Sequence, residues 1–463
     1  MKILPLLLIV GLFGGCASMR PTDPYASVNI RGGDSTGVDV ELQTPRIPKD
    51  PLTLQQAIET ALANNPEIAA RGWDAAAAQA GRDQALGARL PRVGIVGGYT
   101  HTLDEQRLIP ASRDGESGLF SRDIVSGDLV VSMPLFTGGR LVNQVNAADL
   151  LRKAAEQRLA RSREELVFNV SSVFNSILAQ EHVIESLEFS RKTLTEHVNR
   201  IDALITAQKA ARVDRMRTEV RLADIEQQLV REKNLQSIQY RALANLLGLR
   251  ASEKQLPLQG ELEMQENIVL PKLETALSVA REDRADYLAA RSSLEAQAKN
   301  VDVAKSGHLP TLSVQGSYGR RWATGPTTGA GDEQGDVGRI GMALEVPIFE
   351  GGQVDADIRE KRAALAAAQE RLRLLDLQVR LEVEAALLNV ESSGERAVAI
   401  RKSIAQAKES LRIEQQKYNL GKGAIVDVLD AQAALLESET TYYLVLAEYH
   451  TAVAQLKLAM GAE

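Results

Sequence analysis

The side chains able to do chemistry are few and scattered. The five histidines (His101, His182, His197, His308, His450) include no pair four apart and none beside a cysteine, so no local metal site emerges. No Gly-x-x-x-x-Gly-Lys-Ser/Thr loop is present to cradle a nucleotide. The glycine-rich stretch 325–338 is not followed by a helical pattern, so it reads as an outer loop rather than a phosphate site. No Ser, His and Asp arrangement stands out for nucleophilic catalysis. Two acidic residues draw notice instead: Asp427 and Asp430, three apart at the head of a long helical stretch. Asp427 falls where a helix N-cap belongs, and Asp430 where the partner of a capping box would stand. The expectation is a protein that is not an enzyme and holds no metal or diffusible cofactor.

Composition narrows the class further. Charged residues make up 25% and apolar ones 44% of the 463, which suits neither a disordered chain nor a bundle of membrane helices. The net charge of −7 argues against nucleic acid as a partner. Aromatics, at 4%, are few for one large globular core. The single cysteine, Cys16, excludes a disulfide framework. Residues 1–15 read as a signal peptide, with Lys2 ahead of an apolar run too short for a permanent span. Cys16 follows Gly14-Gly15, which resembles a bacterial lipobox, although Phe13 replaces the usual leucine. The resemblance implies a covalent lipid on Cys16 and, with Ala17-Ser18 after it, sorting to the outer membrane. The alternative is a non-lipidated signal peptide with an incidental cysteine. Residues 16–50 are expected to be extended.

The elements that must position Asp427 and Asp430 come from a two-fold internal repeat. The segment from Leu90-Pro91 to Tyr99 recurs from Leu309-Pro310 to Tyr318, and Met133-Pro134-Leu135-Phe136 recurs as Val346-Pro347-Ile348-Phe349. Beyond that point Asp214 matches Asp427, Leu243 matches Leu456 and Gly248 matches Gly461. The repeats are expected over residues 51–260 and 261–463. Each begins with a helical stretch (about 53–88 and 273–306) and continues into a hairpin of alternating segments, at about 92–134 and 311–347. Val93, Ile95 and Tyr99, like Leu312, Val314 and Tyr318, keep period two. Pro134 and Pro347 are placed to end the ladders. From Arg140 to about Ile205 there is neither Pro nor Gly, which predicts a helix of ~100 Å. A similar run from Gln353 to about Tyr418 is interrupted only by Gly394. Further helices follow from Asp214 and from Asp427.

Four strands of bilayer-crossing length cannot close on themselves, and open sheet edges are not tolerated in hydrocarbon. Closure by copies is therefore expected: a dimer gives a barrel filled by side chains, and a trimer gives twelve strands and a channel. A soluble β-sandwich corner is the alternative, disfavoured by the length of the neighbouring helices.

The stretch from Tyr418-Asn419-Leu420-Gly421 through Ile425-Val426-Asp427-Val428-Leu429-Asp430-Ala431, within this duplicated order, resembles the TolC-like outer-membrane efflux family (outer membrane factor lipoproteins). The resemblance implies a mainly α fold with a membrane β part. A long α-helical barrel would stand in the periplasm, and four strands per chain would contribute to a 12-stranded trimeric β-barrel. It also implies a homotrimer in outer-membrane lipid, docked to a periplasmic adaptor protein and an inner-membrane pump, conducting cargo passively to the exterior. Drug efflux, metal efflux and protein secretion all use such ducts. Asp427 and Asp430 match the family's acidic rings at the periplasmic entrance, where cations would be favoured. Tyr418 and Asp214 match its gate contacts. The family's gate arginine is Gly423 here, a departure for which Lys422 or Arg212 would have to compensate. Capping for Asp427 and packing for Tyr418 remain as parallel readings. A different class, a lipid-anchored periplasmic coiled-coil adaptor or scaffold without a pore, would show one helical hairpin between compact β domains, which the duplication opposes.

Overall fold

Two helices of 67 residues each dominate the chain, and the physical reason is visible at their first turns. In both, a glycine pair with positive φ reverses the chain and releases it into a run that holds no proline: Gly138-Gly139 before the first, Gly351-Gly352 before the second. The computed structural model describes residues 51–208, 210–249, 257–264 and 269–461. The expected signal peptide, Cys16 and the segment 16–50 lie outside the described residues.

In chain order the elements are α1 (Leu54–Asn64), α2 (Pro66–Gly87), β1 (Arg92–Arg107), β2 (Leu119–Phe136), α3 (Arg140–Thr206), α4 (Arg212–Leu246), α5 (Leu273–Asp283) and α6 (Ala285–Lys305). They continue as β3 (Thr311–Ala323), a short β4 (Thr327–Gly329), β5 (Gln334–Glu345), α7 (Gln353–Asn419) and α8 (Ile425–Met460). The second half thus repeats the first.

The leading helical stretch of each repeat is two helices. Pro66 lacks the N–H that a continuous helix needs, and Asn65 takes an extended ψ of 124° as the N-cap of α2. The second repeat makes the same break at Arg284, ψ 118°, with no proline to announce it. Conversely, α7 runs unbroken through Gly394, whose bare Cα faces the Tyr449 ring across α8. The proline in β2 does not end its ladder either: Pro134 pairs with Ser313 of β3 beside a local register shift. In the second hairpin β5 stops at Glu345, ahead of Pro347. The outer loop of the first hairpin spans 108–118, and β4 adds to β2 within the second.

Burial repeats as well. Ala57 and Ala61 of α1 seat against Phe174, Leu243 and Leu247, while Ala276 and Ala280 of α5 join Val383, Tyr449 and Leu456. The small alanines let the short helices approach the long ones closely, and each buried leucine contributes about 2 kcal/mol of transfer free energy. A third cluster runs toward the far end of the helices, with Leu194 and Ile201 of α3 against Ile225 of α4 and Ile425 and Val428 of α8.

Candidate functional site

The sheet runs β1-β2-β3-β5, all antiparallel, so β1 and β5 are each paired on one side only. Its register aligns the two hairpins into shared rows. Val93, Val131, Gly316 and Ile340 stand in one row, and Ile95, Leu129, Tyr318 and Gly338 in the next. Because side chains alternate across a strand, these rows put the apolar residues of all four strands on one face. That face is bare: Ile95 is 75% and Ile340 84% exposed in the single chain. Toward the outer loops it ends in polar and aromatic side chains, among them Tyr99, His101, Trp322 and an Arg320–Asp336 ion pair at 2.6 Å. The opposite face carries Ser126, Ser132, Gln315 and an Arg321–Asp128 pair at 2.8 Å. One side fits hydrocarbon and the other fits water.

At the other end of the helices, two tight turns join α3 to α4 and α7 to α8. Gly421 takes φ +68° in the second, and Gln208, its counterpart in the first, takes φ +58° without glycine's freedom. Arg215 at the start of α4 holds Asp202 of α3 at 2.7 Å, which staples the first turn. In the second, Asp427 is not the N-cap. That place belongs to Ala424, and the Asp427 carboxylate accepts the Ala424 N–H at 3.3 Å from the third helical position. Asp427 and Asp430 both lie exposed, while Val428 and Leu429 between them are buried, so the two carboxylates share an open face of α8. Asp430 therefore does not complete a capping box.

Tyr418 is half-buried against the third core cluster. Burial and the Asp214 charge push its phenol above the ordinary 10.0, and Arg200 opposes them. The structure thus brings Tyr418 and Asp214 into electrostatic reach of one another. It adds Arg200, on α3, which sequence reasoning missed: it lies 218 residues from Tyr418 in the chain and no local pattern marks it. Gly423 is where it is for a steric reason. A Cβ there would stand 3.0 Å from the Lys417 Cβ and 3.2 Å from the Tyr418 nitrogen, so an arginine would force the turn to shift.

A duplicated chain whose sheet is apolar on one face, polar on the other and unclosed at both edges, carried on helices of 67 residues, defines a piece of a membrane-crossing duct. The family described as "Outer membrane efflux protein" matches residues 57–249 and again 276–462, and the chain belongs to that family. The outer membrane protein TolC of Vibrio cholerae is 22% identical over 88% of this chain and 90% of its own length. The cobalt-zinc-cadmium resistance protein CzcC of Cupriavidus metallidurans is 23% identical over 92% and 94% respectively. Among solved structures, the outer membrane protein VceC of Vibrio cholerae superposes with a TM-score of 0.73, at 19% identity, over 88% of this chain and 96% of that one. The protein is an outer-membrane exit channel of an efflux or secretion system, extending into the periplasm. Its fold is the mainly helical, twice-repeated one expected, with four long strands as the membrane β part.

Proposed function

We propose that three copies of this chain, each anchored by a lipid on Cys16, form the passive outer duct of a tripartite assembly whose adaptor and inner-membrane pump supply the energy. The observation that carries the reading is the pair of half-satisfied edges, β1 and β5, flanking a continuous apolar face. In hydrocarbon each orphaned backbone group costs several kcal/mol, roughly, so neighbours must complete the ring. The chain's own helices are too polar to cross a bilayer: none among the described residues is long and apolar enough.

At the periplasmic tip, Asp427 and Asp430 face the opening as stacked acidic rings, and Tyr418, Asp214 and Arg200 hold neighbouring helices in the closed arrangement. The Ala424–Asp427 hydrogen bond and the exposure of both carboxylates support this: capping fixes the Asp427 rotamer and leaves the charge at the surface. Replacing both aspartates with alanine should lower the cation preference of single channels in planar bilayers. Unchanged selectivity removes the acidic-ring assignment. The trimer itself is tested by heat-modifiable migration in outer-membrane fractions; a monomer released by delipidation overturns the duct. Incorporation of labelled palmitate, lost in Cys16→Ser, tests the anchor.

A further inference from the structure

The polar face of the sheet carries more positive than negative charge, and its arrangement is one that closure would concentrate. In the row of Arg92 the partners are Ser132, Gln315 and Gly341; in the next row outward on the same face, Arg339 stands with Gly94, Val130 and Ser317. Neither row holds a carboxylate. Asp128, one row further out, is already engaged by Arg321 at 2.8 Å. Glu345, on the same face, lies four positions along β5 from Gly341, toward the helices. The Arg339 Nε donates to the neutral Ser317 Oγ at 3.0 Å, which orients the guanidinium without neutralising it. Arg92 and Arg339 are both exposed.

The two arginines sit on opposite edges of the sheet, Arg92 on β1 and Arg339 on β5. Ring closure sets the β5 edge of one protomer antiparallel to the β1 edge of the next, so every copy adds both guanidinium groups to the polar wall of one ring. Arginine stays charged at any working pH and offers planar, paired N–H donors that suit carboxylate, sulfonate and phosphate groups. A narrow passage with low-dielectric walls focuses such a field.

We propose that the membrane-spanning wall carries an arginine belt, built from Arg92 and Arg339 of every protomer, that draws anionic cargo outward through the barrel. The belt rests on the trimeric closure proposed above. It acts opposite in sign to the acidic tip, so the passage is graded from cation-favouring at the periplasmic mouth to anion-favouring in the membrane.

The test uses the full-length reconstituted protein with Ser132→Cys, which places a thiol in the Arg92 row. Its modification rate is measured on the peptide carrying residue 132 with an anionic (sulfonate) and a cationic (trimethylammonium) methanethiosulfonate. The anionic reagent should be favoured, and the ratio should fall by about fivefold or more in the Arg92→Gln, Arg339→Gln background, as expected for a local potential of a few kT. In case those substitutions impair assembly, the same ratio is read with both arginines intact while salt is raised to about 1 M, where screening acts within ~3 Å; it should collapse there. A ratio indifferent to both arginines or to salt overturns the belt while the water-filled duct stands. A thiol that reacts with neither reagent overturns the duct reading, and the belt with it.

Discussion

The Asn65 side-chain amide donates to the Leu246 carbonyl at 3.0 Å, and in the second repeat the Arg284 guanidinium reaches the matching carbonyl of Ala459 at 3.4 Å. Each side chain caps the end of one long helix from the break between two short ones. Gly248 and Gly461, both left-handed, bring the ends of α4 and α8 against these breaks, where a Cβ would stand 2.4 Å from the Asn64 oxygen or 2.6 Å from the Arg284 Cα. The repeats therefore share a joint that is built with different chemistry.

Asn65 works in two directions. Its carboxamide oxygen accepts the Glu67 N–H at 2.8 Å while its nitrogen serves Leu246. Asn65→Ala should cost about 1–2 kcal/mol, the usual range for a lost cap. Asn65→Asp, which keeps the acceptor and loses the donor, should fall between. Denaturant midpoints of the purified protein read both.

Arg284 is nearly sealed, at 2% exposure, and holds Asp286 through paired contacts of 2.8 and 2.9 Å as well as Glu382. Replacing it with Met leaves Asp286 only the Tyr287 N–H at 2.8 Å and Arg161 at 3.8 Å, and should destabilise by roughly 3 kcal/mol, at the low end for a buried pair because Glu382 is half in water. Burial pushes the Asp286 carboxyl up, but the Arg284 guanidinium prevails and holds it below the ordinary 3.8. Its contribution is therefore complete above that value and is lost as pH falls through the depressed one. Unfolding midpoints followed from pH 5 downward (roughly, the span in which such carboxylates titrate) should lose this acid sensitivity in Arg284→Met.

His450 behaves with the opposite charge. Burial holds its imidazole below the ordinary 6.5, against the Glu263 carbonyl that its Nε2 meets at 2.9 Å. The unfolded chain then binds the proton first, so stability declines as pH drops below 6.5 toward the depressed value. His450→Gln, which can keep a donor to the Glu263 carbonyl, should flatten that part of the stability–pH curve. An unchanged slope would assign the acid response elsewhere.

Ile340 and Gly341 are chain neighbours with opposite surroundings. Ile340 lies on the apolar face at 84% exposure, and a Cβ on Gly341 meets nothing within 4 Å on the polar one. Ile340→Arg should cost about 2–4 kcal/mol of membrane insertion, as for a cation facing lipid near the midplane. Gly341→Arg should assemble in normal yield. The fraction of protein recovered in folded outer-membrane form separates the two.

Much of this was legible in the sequence because it is periodic. Alternation over Val93, Ile95 and Tyr99 gives strands with one apolar face, freedom from Pro and Gly after Arg140 gives a helix, and the duplication gives the same order twice. Turn chemistry at Gly138-Gly139 and Gly351-Gly352 is equally local. The break at Asn65 carried a visible sign in Pro66, but the break at Arg284 carried none, since it is imposed by the end of α8 docking against it. Gly394 looked like an interruption, yet intrinsic propensity lost to the packing of Tyr449 over it.

What only the tertiary structure decided is whatever joins distant parts of the chain. The pairing of β2 with β3 links segments on either side of two long helices, and it alone places Val131 beside Gly316 and so merges two hairpins into one apolar face. Arg200 reaches the field of Tyr418 only because the far ends of α3 and α7 both close on the start of α8. Periodicity is a property of neighbours in the chain and can be read from them. Register between remote strands and the charges facing a remote side chain follow from packing, which no local pattern encodes.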